Sequence, residues 1–588
     1  MNVTYTGPAT MRANQLFHAT LDITLSAPIH PGGCLAVAAR HVSDFGDAQM
    51  DDPAAENYIR VITSREGITW ALAEGTPWYR HPWNRGFDLR LQAGHLEPGN
   101  RVTIELGGPG GYRGQSFVEQ RFTLRIGVQS KPDAAWVVTD EEDSPGWAIV
   151  GAAPAALRVR VPDANAERPS GSVCLKLEDA YGNPTSGDVE LALLLDDRVA
   201  LRRVRLREGM TELPDVPLPA DGNWHRLTAV SDDGRLFARS NPFGPALMEG
   251  YRLYWGEIHC QSGLCDGTNS PDYLYAYGRQ AAGLDFASVT SHDFEMTPAD
   301  WQQVQEATRH AHRPGSYVTF LGYEWSGDHA RGGDNNVYFL GDEGPLLYCG
   351  PCFADTAWEP ATLHVDRTRT LTDLVSDLGD MPALIVPHFG GRPANLDYHD
   401  ARVMPVIEVH SCHRSYEHHA REALRRGLKV GFIGGSDDHR GALGDSVPTA
   451  RERFFSARNG LVAVYARELT REALWEALYA RRAYATNGCR MALAFSANGV
   501  PMGSELAVAA GDPVQFAFTA ILDGLLDRAE LCTAEGVLAT FVGPGNQHAT
   551  FSGEHTLPAP AGASAYYLKV YQTDGGVAWS SPVWVTGE

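Results

Sequence analysis

Six apolar segments in the middle of this chain each run into a residue that can ligate a metal ion. They are Tyr254–His259, Phe286–His292, Phe320–Glu324, Leu384–His388, Val406–His410 and Phe432–His439, the last carrying Asp437 before His439. One histidine after a strand is ordinarily a hydrogen-bonded or surface residue. Six strands with the same terminus point to one shared site. Imidazole and carboxylate together suit zinc, manganese or iron. Burying such a cluster is costly unless a cation compensates the acids. The residue types therefore predict a metal centre built on His259, His292, Glu324, His388, His410, Asp437 and His439.

The positioning elements follow from the surrounding pattern. Between Tyr251 and Gly488 short apolar runs alternate with helical stretches. Ser270-Pro271 and Thr297-Pro298 read as helix starts, a capping residue followed by proline in the first turn. Strand–helix alternation predicts a parallel sheet, open or closed into a barrel. In a barrel the C-terminal strand ends converge on one mouth, which would gather the six termini. Either side of this region the pattern is β-rich, with alternating runs punctuated by Gly, Pro and Asp. The expected organisation is a multidomain chain. It has a β-rich domain over 1–133, an immunoglobulin-like β-sandwich over 134–245, a β/α barrel over 246–488 and a C-terminal β-sandwich over 489–588. The flanking β units read as scaffold or as a wall that shapes the substrate site.

Composition narrows the function classes. A net charge of −23 argues against a broad nucleic-acid face, though bound cations can reverse the local sign in a pocket. No apolar run approaches a membrane span, and the N-terminal stretch lacks a basic segment followed by an apolar one. A cytoplasmic protein that meets neither membrane nor nucleic acid is expected. Nine scattered cysteines fit reduced thiols. Cys349 and Cys352 match C-x-x-C, but no helix pattern follows, so a loop with two thiols or an adventitious metal pair is the reading.

At the metal-competent residues the chain resembles the PHP (polymerase and histidinol phosphatase) superfamily, and within it the bacterial family named domain of unknown function 3604. The matching stretches are YWGEIHCQSGLCDGT, ASVTSHDF, FLGYEWS, VPHFGG, IEVHS and GGSDDHRG, with GLVAVYARELTREALWEALYARRAYATNG and MALAFSANGVPMG after them. The resemblance spans about residues 250 to 505. It implies a distorted (β/α)7 barrel with two or three divalent ions (Zn, Mn or Fe). By motif, one ion takes His259, Glu324 and Asp437, and Glu324 bridges to a second on His388 and His410. A third takes His292 and His439, with Asp266 at a position where another ligand is common. Two departures keep the metal count open: Gln261, whose side-chain oxygen is a candidate metal ligand or substrate contact, stands where the first motif usually has histidine, and Ser291 precedes His292 where aspartate is frequent.

The resemblance implies a metal-dependent hydrolase using activated water, which leaves Ser262, Ser436 and Cys260 without a nucleophilic role. Phosphate esters suit clustered cations. Arg331, Arg392, Arg414 and Arg440 follow barrel strands, and one or two of them are expected to reach a substrate phosphate or carboxylate. Asp293 or His439 is the candidate proton donor to a leaving group. The leading expectation is a phosphoesterase acting on a small or medium organic phosphate. The alternatives are cleavage of an ester, amide or carbohydrate-linked substrate in the same site, or a non-catalytic metal-stabilised binding protein.

Overall fold

The computed structural model describes residues 1–73, 80–162, 170–350, 369–448, 450–451, 455, 458–543 and 550–588. The protein is multidomain and largely sheet, with five α-helices among the described residues. None of these helices is long and apolar enough to cross a membrane. The eight described cysteines are all buried, and Cys352 lies outside the described residues.

The N-terminal unit is two antiparallel sheets facing one another. One orders Asn2–Thr6, Ala19–Thr24, Arg101–Leu106 and Ile59–Thr63; the other has Cys34–Ala39 and Arg85–Ala93 at its centre. In Ala19–Thr24 every second residue is buried, the period that puts one face of a strand in the core. Leu21, Ile23, Val37, Leu89 and Ile104 fill the space between. Trp136–Val138 pairs with Arg125–Gln129, and Gly146–Val150 pairs with Glu119–Thr123 and Thr10–Arg12. Strand pairing therefore carries this unit to Val150, past the expected boundary at 133.

The second unit sets a three-stranded sheet (Ala156–Arg160, Ser170–Glu178, Met210–Pro217) against a four-stranded one around Val159, Leu175, Leu191 and Leu227. Asp179-Ala-Tyr-Gly-Asn-Pro184, a stretch whose Gly, Asn and Pro mark a tight turn between two strands, forms one here. Asp179 Oδ1 accepts the backbone N–H groups of Tyr181 and Asn183, and Gly182 supplies the positive φ of 78°.

The central region departs from the expected all-parallel sheet. Arg252–Glu257, Phe286–Ala287 and Val318–Thr319 are parallel neighbours, and so are Val406–His410 and Gly431–Gly434. Leu321–Ser326, Asp334–Phe339 and Ala383–Pro387 instead form an antiparallel set. The reason is local. Parallel pairing needs a crossover of a dozen residues or more, whereas the chain reverses between Ser326 and Asp334 through Gly332 and Gly333, at φ 136° and 73°. These strands fall into separate hydrogen-bonded sheets, so a closed (β/α)7 barrel is not what the ladders display. Helix starts match the sequence: Ser270 caps Pro271–Gln280, and Thr297 with Asp300 makes a capping box for Pro298–Ala311.

The C-terminal unit is continuous with the central one. Leu461–Ala466 pairs with Arg252–Glu257 and with Ala483–Thr486, which pairs in turn with Val577–Ser580. Core residues from both sides of residue 489, Leu274 and Tyr317 with Phe516 and Leu568, share one cluster.

Candidate metal centre

The first site strand, Arg252–Glu257, delivers His259 into a fully buried position. Its Nδ1 lies 2.9 Å from Glu408 Oε2, and its Nε2 lies 3.3 Å from both Glu324 Oε2 and Asp437 Oδ1. His388, at the end of Ala383–Pro387, repeats the arrangement. Its Nδ1 lies 2.8 Å from Glu408 Oε1 and its Nε2 3.3 Å from Asp437 Oδ2. Glu408 accepts only, so both Nδ1 atoms carry the proton and both Nε2 lone pairs face Asp437. Two buried lone-pair atoms facing each other repel unless a proton or a cation lies between.

Three groups of ligand atoms follow: His259, Glu324 and Asp437; His388, His413 and Asp437; and Asp266, His292 and His439. Two ligands each about 2.1 Å from a tetrahedral ion are about 3.4 Å apart. The 3.3 Å separations around Asp437 match that edge. Among the described residues, buried His388 Nε2, Asp437 Oδ1 and Asp266 Oδ1 have no partner at hydrogen-bond geometry. Gly390 keeps the space beside His388 open: a Cβ there would collide with His388 Nε2 and lie 2.7 Å from His413 Cδ2. The donor set, the spacing and the orphaned atoms fit divalent ions.

The electrostatics agree. Burial alone would lower the pKa of His259, but Glu408, Asp437 and Glu324 raise it well above the ordinary value. His388 is pushed up to about 10 against the same burial penalty by Glu408 and Asp437. Burial would raise Glu324, and His292 and His259 hold it down to about 2. Asp437 sits at φ 53°, a region costly for a residue with a Cβ and most accessible to Asp and Asn. It is pinned there by its N–H donating to the His259 carbonyl at 2.7 Å.

Asp266 gathers the third group. Its Oδ1 is 3.3 Å from His439 Nε2 and 3.7 Å from His292 Nε2. His439 stacks on Phe455 at 4.5 Å, and its Nδ1 donates to the Asp437 carbonyl. Gln261 does not present a free oxygen. Its Nε2 donates to Glu324 Oε2 at 2.6 Å and its Oε1 accepts from Cys265 Sγ.

Several sequence expectations need correction. His410 is in none of the groups. Its Nε2 donates to the Arg458 carbonyl at 2.8 Å, its ring stacks on Trp579, and burial lowers its pKa. The pairing register slips between Glu408 and His410, which turns the two residues to different surroundings. Glu408 takes the inward place and His413, beyond the strand, supplies the imidazole, with Nε2 2.9 Å from Asp437 Oδ2. Asp293 is spent on structure: its oxygens accept the N–H groups of Ser326 and Cys349 at 2.9 and 2.5 Å. Burial pushes it up to about 6. Among the arginines, Arg392 reaches the site, with Nη2 3.5 Å from His292 Nδ1 while Nε pairs with Asp334. Arg331 pairs with Asp328 at 3.3 Å, Arg414 is exposed, and half-buried Arg440 gives its backbone N–H to Asp438.

Sequence patterning does not single out Glu257, whose Oε1 accepts the N–H groups of His259 and Ser436 at 2.7 and 2.9 Å, nor Glu408 and His413, nor Glu295 and His81, which lie against Asp266. Glu257 and Glu408 each lie two residues before a motif histidine, so strand alternation could have flagged them. His81 carried no local signal; only the tertiary fold brings it near.

A family model described as "Protein of unknown function (DUF3604)" matches residues 449–497. An uncharacterized protein of Chlamydia pneumoniae is 22% identical over 83% of this chain and 84% of its own. One from Chlamydia muridarum is 22% identical over 99% of both chains. Among solved structures, a two-domain protein from Bacteroides vulgatus, described as containing a predicted PHP-like metal-dependent phosphoesterase, is 15% identical. It covers 57% of this chain and 96% of its own, with a TM-score of 0.33. A β-glucuronidase 2 mutant of Bacteroides uniformis is 10% identical over 97% of this chain and 74% of its own, with a TM-score of 0.16.

Proposed function

We propose that this protein is a metal-dependent hydrolase, and that its substrate is a small or medium organic phosphate ester. The carrying observation is the Asp437 carboxylate set between His259 Nε2 and His388 Nε2, both rings being held from behind by Glu408. His259, Glu324, Asp437, His388 and His413 would hold two ions, and Asp266, His292 and His439 a third. When bound, such ions supply Lewis acidity and bring a coordinated water toward neutral pKa. The chain's own residues do the rest. Glu408 keeps the Nδ1 proton on both histidines, so Nε2 stays the ligand atom, as carboxylates behind metal-binding histidines do. Arg392, held by Asp334 and lying over the Phe294 ring, places a guanidinium beside His292 where an anionic group would need neutralising. His439 Nε2 either joins an ion with Asp266 and His292 or holds a proton against Asp266; the metal count decides which.

One observation favours a second reading, an ester, amide or carbohydrate-linked substrate. Arg331 and Arg392 each pair with an aspartate of their own, so the cationic supply expected for a phosphate is partly committed. The test is metal analysis of the purified chain, followed by a reconstituted screen over phosphate monoesters, phosphate diesters and carboxyl esters. Aryl phosphate turnover that disappears in Asp437→Asn supports the phosphoesterase. Turnover of carboxyl esters alone selects the second reading, and a chain that holds no stoichiometric divalent ion ends both.

A further inference from the structure

The N-terminal β unit is not confined to a scaffolding role. It sends His81 to Asp266 Oδ2, whereas His292 and His439 approach Oδ1. His81 Nε2 is 3.3 Å from Asp266 Oδ2 and 3.2 Å from Glu295 Oε1. These three ligand atoms lie within 4.8 Å of one another. Asp266 thus divides its two oxygens between histidines, Oδ1 to His439 and Oδ2 to His81, each at 3.3 Å. Asp437 divides its own between His259 and His388 at the same distance.

Charge sharpens the comparison. Asp266 and Glu295 are both nearly screened from solvent, and apart from the approach of His81 Nε2 the described residues offer neither oxygen of Glu295 a hydrogen-bond donor. Two carboxylates and an imidazole whose ligand atoms lie within 4.8 Å of one another, away from water, are a donor set that a divalent ion would draw together.

The seam around Asp266 is built rather than incidental. Arg40 donates to the Cys265 carbonyl, next to Asp266, while pairing with Glu141 at 2.9 Å. Asn269 accepts from Gln120 N at 2.7 Å and donates to the Val118 carbonyl at 3.1 Å. The loop is therefore fastened to the N-terminal unit on both sides of Asp266.

We propose that His81, Asp266 and Glu295 hold a divalent cation across the seam between the N-terminal β unit and the central region, with Asp266 shared with the His292–His439 group. This rests on the metal-hydrolase reading for the neighbouring ions.

The test uses the full chain, stripped with chelator and reloaded with Mn²⁺ or with Zn²⁺. Ions per folded chain are counted by native mass spectrometry, so unfolded protein does not enter the count. His81→Ala and Glu295→Gln should each hold one ion fewer than the unsubstituted chain, and the rise in Tm on reloading should shrink in both. Equal counts in the variants and the unsubstituted chain would overturn the seam site and leave the neighbouring ions standing. An unsubstituted chain that holds no ion would overturn the metal-hydrolase reading itself, and the seam site with it.

Discussion

His259 and His388 hang from the same carboxylate. Their rings stand at 88° with centroids 4.5 Å apart, and both donate Nδ1–H to Glu408, at 2.9 and 2.8 Å. Neither histidine can turn without breaking a buried, charge-assisted hydrogen bond. Both Nε2 atoms are thereby aimed at Asp437 before any ion arrives.

Glu408→Gln tests that relationship. Glutamine keeps the shape but presents one oxygen where the carboxylate presents two. Metal affinity should fall by about 10–100-fold, as for other residues that orient metal-binding histidines. Titration of the stripped protein followed by isothermal calorimetry reads it. Unchanged affinity would remove Glu408 from the centre.

His413→Ala and His410→Ala should separate cleanly. The first should lose bound ion, because His413 Nε2 lies 2.9 Å from Asp437. The second should keep its full metal content and lose stability by about 1–3 kcal/mol, the cost of deleting a buried ring that is hydrogen-bonded and stacked on Trp579. Elemental analysis with a denaturant midpoint checks both. Loss of metal in His410→Ala would restore that residue to the site.

Metal affinity should rise with pH. In the metal-free protein His388 is raised to about 10 and His439 to about 9, from an ordinary 6.5. Their protons stabilise the metal-free fold fully below about pH 6.5, and that contribution is lost as pH climbs through these raised values. Ion binding must displace the same protons. Calorimetry near neutral pH in two buffers of different ionisation enthalpy should reveal proton release, and the metal-free Tm should fall as pH rises from neutral to about 9. Buffer-independent heats would refute the protonation pattern.

The second β unit is tied to the central region by charge. Fully buried Lys176 meets Asp445 at 2.6 Å and Glu178 at 2.7 Å, with Tyr277 beside them. Lys176→Met leaves two carboxylates to Arg158 alone and should cost about 3–5 kcal/mol, the usual toll for breaking a buried pair. Guanidinium unfolding measures it. A loss well below that would mean Arg158 carries the pair unaided.

The sequence determined the inventory by itself. Metal-competent residues at strand ends can be read locally, because side-chain alternation and strand termini are short-range properties. The helix starts at Ser270 and Thr297 and the turn at Asp179 were legible for the same reason: each depends on a hydrogen bond between residues a few positions apart. Tertiary structure decided which members of the inventory meet. The register slip beside Ile433 exchanged His410 for Glu408 and His413, and pairing register depends on a partner strand that local sequence does not name. The reversal at Gly332 and Gly333 replaced an expected parallel strand with an antiparallel one. Docking of the N-terminal unit brought His81 to Asp266 across 185 positions of chain, a proximity set by packed surfaces rather than by spacing along the sequence.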